Sequence, residues 1–183
     1  MVVIGGAAVS LGYVTTHATS DIDLWTDPGP GFWSAVARCR RDGEAIPIAI
    51  VTIASPPYDF EDRLRFVDLP GLERLTIQVP ERHDLAMPKI ARAEAHDLDA
   101  IEDIHRQDPL VLEVLLERYA ETLTQITGPE GRFRLNLLAL VARPPVARLA
   151  PGADQIQAPG RGTLLRELDP AGAGPAPQAG GVP

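Results

Sequence analysis

The sequence predicts an α/β (α+β) fold, a small mixed sheet flanked by helices, followed by C-terminal helices and a disordered tail. Three observations predict it. Short β-branched runs alternate with stretches of helical spacing through residues 1–82, helical spacing continues alone through 83–144, and from Pro145 onward the chain turns to Gly, Pro and Ala. These boundaries define a core (1–82), a helical subdomain (83–144) and a Pro/Gly-rich tail (145–183).

In chain order, Val2, Val3 and Ile4 form a β-branched run that ends at Gly5-Gly6, which reads as a buried strand and a tight turn. A short helix at 7–13 follows. Ile22, Leu24 and Trp25 alternate with Asp21 and Asp23, giving a strand with acids on one face and apolar groups on the other. Residues 32–41 suit a helix before Asp42-Gly43. The run 46–54 is a long strand closed by Ser55-Pro56-Pro57, and 64–67 and 75–79 complete about five strands. Asp84 is placed to cap a helix through Leu85, Met87, Ile90 and Ala93, with Pro88 removing one donor. Asp97 or Asp99 caps a second helix carrying Ile101 and Ile104. Asp108-Pro109 reads as a cap with proline at the first helical position, leading into Leu110, Val111, Val114, Leu115 and Tyr119. A last helix over 133–143 turns Leu135, Leu137, Leu138 and Leu140 inward.

Composition narrows the class. Among 183 residues, 17 basic and 25 acidic side chains give a net charge of −8, and 45% are hydrophobic. No run of roughly 18 apolar residues could span a bilayer, and the apolar share is too high for a wholly disordered chain. An acidic chain of pI near 4.9 does not bind nucleic acid by bulk charge, although a local basic patch stays open. Cys39 is the single cysteine and no secretory leader pattern follows Met1, so the expected compartment is the cytoplasm. Many of the 16 glycines and 18 prolines fall in the tail, where burial is too small to offset about 1–2 kcal/mol of backbone entropy per residue. Residues 162–168 there form at most a helical turn. Arg148, Arg161 and Arg166 balance Asp154, Glu167 and Asp169, so the whole −8 belongs to the domain.

The chemistry concentrates near the N-terminus. Asp21 and Asp23, at i and i+2 of one strand, face the same way and suit joint ligation of a divalent cation. Gly5-Gly6 supplies a turn without Cβ atoms where phosphate oxygens can meet backbone N–H groups at a helix start. The two features together outline a nucleoside triphosphate site. The order Gly5-Gly6, a 14-residue spacer, then Asp21-Ile22-Asp23 resembles the nucleotidyltransferase superfamily typified by DNA polymerase beta, with a slightly longer spacer than usual. The runs 57–64, 79–86, Lys89 and 92–103, with Arg134-Leu135-Asn136-Leu137-Leu138, look like bacterial nucleotidyltransferase-like families of unassigned substrate near the AbiEii-type toxins.

That resemblance implies an enzyme that moves a nucleoside monophosphate from an NTP to an acceptor hydroxyl on RNA, protein or a small molecule, within a toxin and antitoxin pair. Asp21 and Asp23 would hold Mg²⁺ or Mn²⁺, and Ser10 with the Gly5-Gly6 backbone would hold the triphosphate. In-line attack on the α-phosphorus would release pyrophosphate. A third carboxylate is expected from a neighbouring strand. The run 46–54 carries none, which leaves Glu61, Asp62 and Asp68, with Asp62 favoured because Arg63 beside it can contact phosphate. Without a third acid, the fold becomes a catalytically silent nucleotide-binding or partner-binding module.

Blander readings stand beside these. Gly5-Gly6 alone is a plain turn, and Lys89 with Arg92 suits either phosphate contact or a solvated surface. Asp97, Asp99, Glu102 and Asp103 read as a solvated acidic face or as partners of Arg92 and Arg106. Arg38, Arg40 and Arg41 read as an acceptor-attracting patch or as helix-end charges favoured by the macrodipole. His17 and His83 are candidates to line the pocket. The four histidines lack zinc-ligand spacing, and neither a nucleophile elbow nor a Walker loop is present.

Overall fold

Strand β1 (Val3–Ile4) runs directly into helix α1 (Gly5–Gly12), and β2 (Ile22–Leu24) returns antiparallel beside β1 with Val3 opposite Leu24 and Ile4 opposite Asp23. The computed structural model describes residues 1–43, 46–51, 56–72, 74–125, 128–143 and Val146. Helix α2 (Pro30–Arg41) leads to β3 (Ile48–Ile50), which pairs parallel with β2. A 3₁₀ turn (Phe60–Arg63) precedes β4 (Arg65–Val67), and β4 pairs antiparallel with β5 (Ile77–Val79). A parallel bridge between Val2 and Gln78, with the Gln78 N–H donating to the Met1 carbonyl at 3.0 Å, joins the two ladders in the order β4-β5-β1-β2-β3. The sheet is therefore small and mixed, as the alternation predicts. Of the strand expected over 46–54, residues 52–54 lie outside the described residues, as does the expected tail 145–183 apart from Val146.

Four helices follow: α3 (Arg82–Arg92), α4 (Ala95–Gln107), α5 (Leu112–Leu123) and α6 (Glu130–Val141). The core residues 1–82 and these helices belong to one compact unit, Met1–Leu149, while Ala150–Pro183 forms a second unit whose residues are not among those described. Val3, Ala8, Val9 and Leu24 are fully buried with Ala100 and Ile104 of α4, which makes the centre of the apolar core. Small residues let α1 lie close to the sheet. A Cβ on Gly12 would sit 2.7 Å from Val79 Cγ2.

Several boundaries differ from the sequence reading, each for a local reason. Helix α1 begins at Gly5 itself, so the glycine pair opens the helix instead of forming a separate turn. The cap of α3 is Glu81, whose carboxylate accepts from the His83 N–H at 2.8 Å; Asp84 lies inside the first turn and is drawn into buried arginine contacts. Asp108-Pro109 closes the end of α4, because Asp108 takes Arg65 at 3.1 Å and Arg82 at 3.5 Å, and α5 starts only at Leu112 with Val111 as its cap residue. At α4 the cap is Glu94, which leaves Asp97 in the first turn. In α6 the buried stripe is Phe133, Leu137 and Leu140, and Leu135 falls on the opposite side, 59% exposed. Arg38, Arg40 and Arg41 occupy the last turn of α2, where a helix C-terminus favours positive charge.

Candidate functional site

The β1–α1 junction and β2 meet at one point. Gly5 has φ 68°, a left-handed conformation that suits glycine, and a Cβ built there would lie 2.8 Å from Asp23 Oδ2. The register that sets Ile4 opposite Asp23 thus lays a carboxylate against the start of α1. No side chain caps the Ile4 end of this helix, so its first-turn N–H groups have no capping side chain to accept them. Gly6 is equally close-fitting, since its Cβ would stand 2.8 Å from Thr19 Oγ1 and 3.8 Å from His17 Nε2. Ser10 explains why that loop lies there. Its hydroxyl donates to the His17 carbonyl, which pins the loop over the helix and commits the group to that role.

Asp21 is exposed, and the Thr19 hydroxyl approaches its carbonyl at 3.1 Å and its Oδ1 at 3.2 Å. Asp23 is half-buried. Burial pushes its carboxyl above the ordinary value, the Asp21 charge adds to this, and Arg92 opposes both. The two strand acids therefore repel one another at Asp23.

A cavity of about 180 Å³ opens beside this point, with Gly5, Asp23, Lys89 and Arg92 in its lining and Trp25, Phe60, Pro80, Leu85 and Pro88 forming apolar wall. Lys89 is only 3% exposed. Its Nζ stands 3.4 Å from Asp97 Oδ1, and Arg92 donates to the same carboxylate from NH2 at 2.7 Å and from Nε at 3.1 Å. Burial pushes the Lys89 ammonium below its usual value, with Arg92 adding to the fall and Asp97 resisting it. Asp97, read from sequence as a helix cap, part of a solvated face or a partner of Arg92, is fully buried and pairs with both Arg92 and Lys89. The helix break at Ala93 between α3 and α4 hides the burial of Asp97 and its contact with Lys89 from helical periodicity.

Other candidates are placed elsewhere. Arg63 donates to Asp84 Oδ2 at 2.9 Å and Oδ1 at 3.0 Å, with Tyr58 O at 3.0 Å and Glu121 Oε2 at 3.3 Å, so its guanidinium is committed to Asp84 and α5. Arg118 Nε lies 3.1 Å from Asp84 Oδ1 without hydrogen-bond alignment. Burial pushes the Asp84 carboxyl up against these arginines. Asp62 is exposed and lines a second cavity of about 300 Å³ with Asp59 and Glu61; Trp25 and Phe60 border both cavities. The structure does not bring Asp62 into the Asp23 cavity. Among the described residues, no group of three or more His, Cys, Asp or Glu side chains is gathered as a metal would require. His83 is buried elsewhere, its Nδ1 beside Glu81 at 2.9 Å and its Nε2 accepting from the Val111 N–H at 2.8 Å. Trp25 also departs from the sequence reading. Its N–H donates to the Val2 carbonyl, so the ladder runs past Leu24 and Trp25 shares the face of the acids, not that of the apolar groups.

A small mixed sheet whose first strand opens a glycine-started helix, with the Asp23 carboxylate of the neighbouring strand set against that start, defines an α/β domain. Residues 1–142 match the family described as nucleotidyltransferase of unknown function (DUF6036), and the chain belongs to that family. No curated protein and no solved structure matches the chain. Among the described residues, no helix is long and apolar enough to cross a membrane.

Proposed function

We propose that the chain is a Mg²⁺- or Mn²⁺-dependent nucleotidyltransferase of the DNA polymerase beta type, moving a nucleoside monophosphate from an NTP to an acceptor hydroxyl on RNA, protein or a small molecule. The observation that carries this is the Asp23 carboxylate lying against Gly5, where a Cβ would stand 2.8 Å from its oxygen. Only a helix start without a side chain lets the carboxylate lie this close to it, so that a cation held by Asp23 stands beside the first-turn N–H groups that suit a phosphate.

The donor set fits a hard divalent cation. Asp21 and Asp23 provide two carboxylates, and Mg²⁺ is commonly held by one or two carboxylates together with substrate phosphates. When bound, the metal would supply charge neutralisation at the transferring phosphoryl group. The first-turn N–H groups of α1 bind the triphosphate, and Lys89 and Arg92, held by Asp97, present positive charge to the same cavity. Incubation with α-labelled NTP and Mg²⁺ is expected to transfer label to acceptor. Asp21→Asn and Asp23→Asn should each reduce transfer at least about a hundredfold while circular dichroism stays unchanged.

A second reading has one observation in its favour, the lack of a third acid beside the pair among the described residues. In that case the fold binds nucleotide without transferring it. NTP binding with no labelled acceptor in cell lysate selects this reading. The proposal extends to a cytoplasmic toxin and antitoxin role related to the AbiEii-type toxins, in which expression arrests growth and Asp23→Asn relieves the arrest.

A further inference from the structure

The cavity beside Asp23 has a mixed lining. One part of its lining carries Gly5, Asp23, Lys89 and Arg92; another is Trp25 and Phe60, whose ring centroids are 5.1 Å apart at an interplanar angle of 83°. An edge-to-face pair leaves the faces of the edge ring uncovered by its partner. The polar groups near this wall are already engaged. The Trp25 indole N–H donates to Glu61, and both oxygens of Asp84 face arginines.

Size and spacing add two constraints. A volume of about 180 Å³ is well under the roughly 300–1,000 Å³ of sites that enclose whole drug-sized ligands. A space of that size suits a ring with a phosphate beside Asp23 and is too small for a whole nucleoside triphosphate. Trp25 follows Asp23 by two residues on one strand face, about 6.6–6.8 Å along the chain. That is a sugar-sized separation between a ring against Trp25 and a phosphate at Asp23.

We infer that this cavity receives the nucleobase of the NTP, held by stacking against Trp25, with the buried Phe60 ring packed against that indole, and without side-chain hydrogen bonds from the described residues. The specificity that follows is broad. Every base has a π-face, so stacking is sequence-tolerant, and purines gain only from their larger area. The inference rests on the nucleotidyl transfer reading for the phosphate end, while the ring site is tested independently of turnover.

The test uses the full chain carrying Trp33→Phe, which leaves Trp25 as the single indole, titrated with ATP, GTP, CTP, UTP and inorganic triphosphate. Each nucleotide is expected to quench Trp25 fluorescence with dissociation constants within about tenfold of one another, purines tighter, as stacking alone dictates. Inorganic triphosphate should bind by calorimetry without quenching. Trp25→Leu should weaken all four nucleotides between about fivefold and a hundredfold, leave inorganic triphosphate unaffected, and be rescued by Trp25→Phe. Absence of quenching at saturating ATP overturns the inference, and this readout needs no variant at Trp25. So does one base binding more than about a hundredfold tighter than the others, which would show hydrogen-bond readout. Quenching without label transfer removes the transfer reading alone. Label transfer whose KM is untouched by Trp25→Leu removes the ring site alone.

Discussion

At Gly5 and Gly6 two neighbouring glycines are required for different reasons, and substitution separates them. Gly5 combines φ 68° with a Cβ position 2.8 Å from Asp23 Oδ2, so any side chain there is strained by backbone and neighbour alike. The left-handed conformation alone costs a non-glycine residue about 1–2 kcal/mol. Gly6 has an ordinary backbone, and its constraint is the Thr19 hydroxyl at 2.8 Å. Gly5→Ala is therefore expected to lower the melting temperature and weaken nucleotide binding whatever stands at position 19. Gly6→Ala should also destabilise, but Thr19→Ala in the same chain should recover most of the loss. Thermal melts of the two singles and the double check this; equal, unrecovered losses at both positions would show that the loop contact does not set the requirement.

The elements are joined by buried charges, and these are where the sequence was least readable. Asp97 at the start of α4 is fully buried between Lys89 and Arg92 of α3. Burial pushes its carboxyl up, but the hydrogen bonds and charge of Arg92, with Lys89, outweigh this and hold it below the usual carboxylate value. A depressed carboxylate stabilises the fold fully above its unfolded value and loses that contribution as pH falls through the folded one. Asp97→Asn is thus expected to cost about 3 kcal/mol near neutrality, since it strips a buried cation of its partner. The gap between variant and parent urea midpoints should begin to narrow as pH falls through the ordinary carboxylate value of the unfolded chain and close as it falls through the lower folded value of Asp97. At the other end of α3, Glu81→Ala removes a cap worth about 0.5–2 kcal/mol, and the urea midpoint should fall accordingly. The strands were legible because β-branched runs and the acid alternation at Asp21 and Asp23 are local patterns. The acid pair and the glycines were legible as a candidate site for the same reason. Lys89, Arg92 and Asp97 meet across a helix break, Arg63 is claimed by Asp84 and α5, and Asp108 is claimed by Arg65 and Arg82. None of these partnerships has a sequence period, so the start of α5, the burial of Asp97 and the commitment of Arg63 required the packed structure.

For the molecule as a whole, the −8 charge and the site pull against each other. Asp23 is half-buried beside Asp21, and its carboxyl is pushed up first by burial and then by that neighbouring charge. A carboxyl raised in the fold is a liability when ionised, so without metal the domain should gain stability as pH falls through the folded value of Asp23. Asp23→Asn removes the same liability. The variant is expected to melt a few degrees above the parent at neutral pH in chelator, the usual direction when a strained functional group is neutralised. Adding Mg²⁺ with NTP reverses the order, because a ligand that binds only the folded state stabilises it by mass action, about 2.7 kcal/mol at a hundred times its Kd. The parent should rise well above its chelated melting temperature while Asp23→Asn stays near its own. Melting curves of both proteins in chelator, in Mg²⁺ alone and in Mg²⁺ with NTP check the argument. A variant less stable than the parent in chelator would mean that Asp23 serves the fold; a variant that still responds fully to Mg²⁺ with NTP would place the metal elsewhere. The expected crossing of the two series ties the acidity of the chain to its chemistry, since the carboxylate that costs stability when empty would be the one the cation needs.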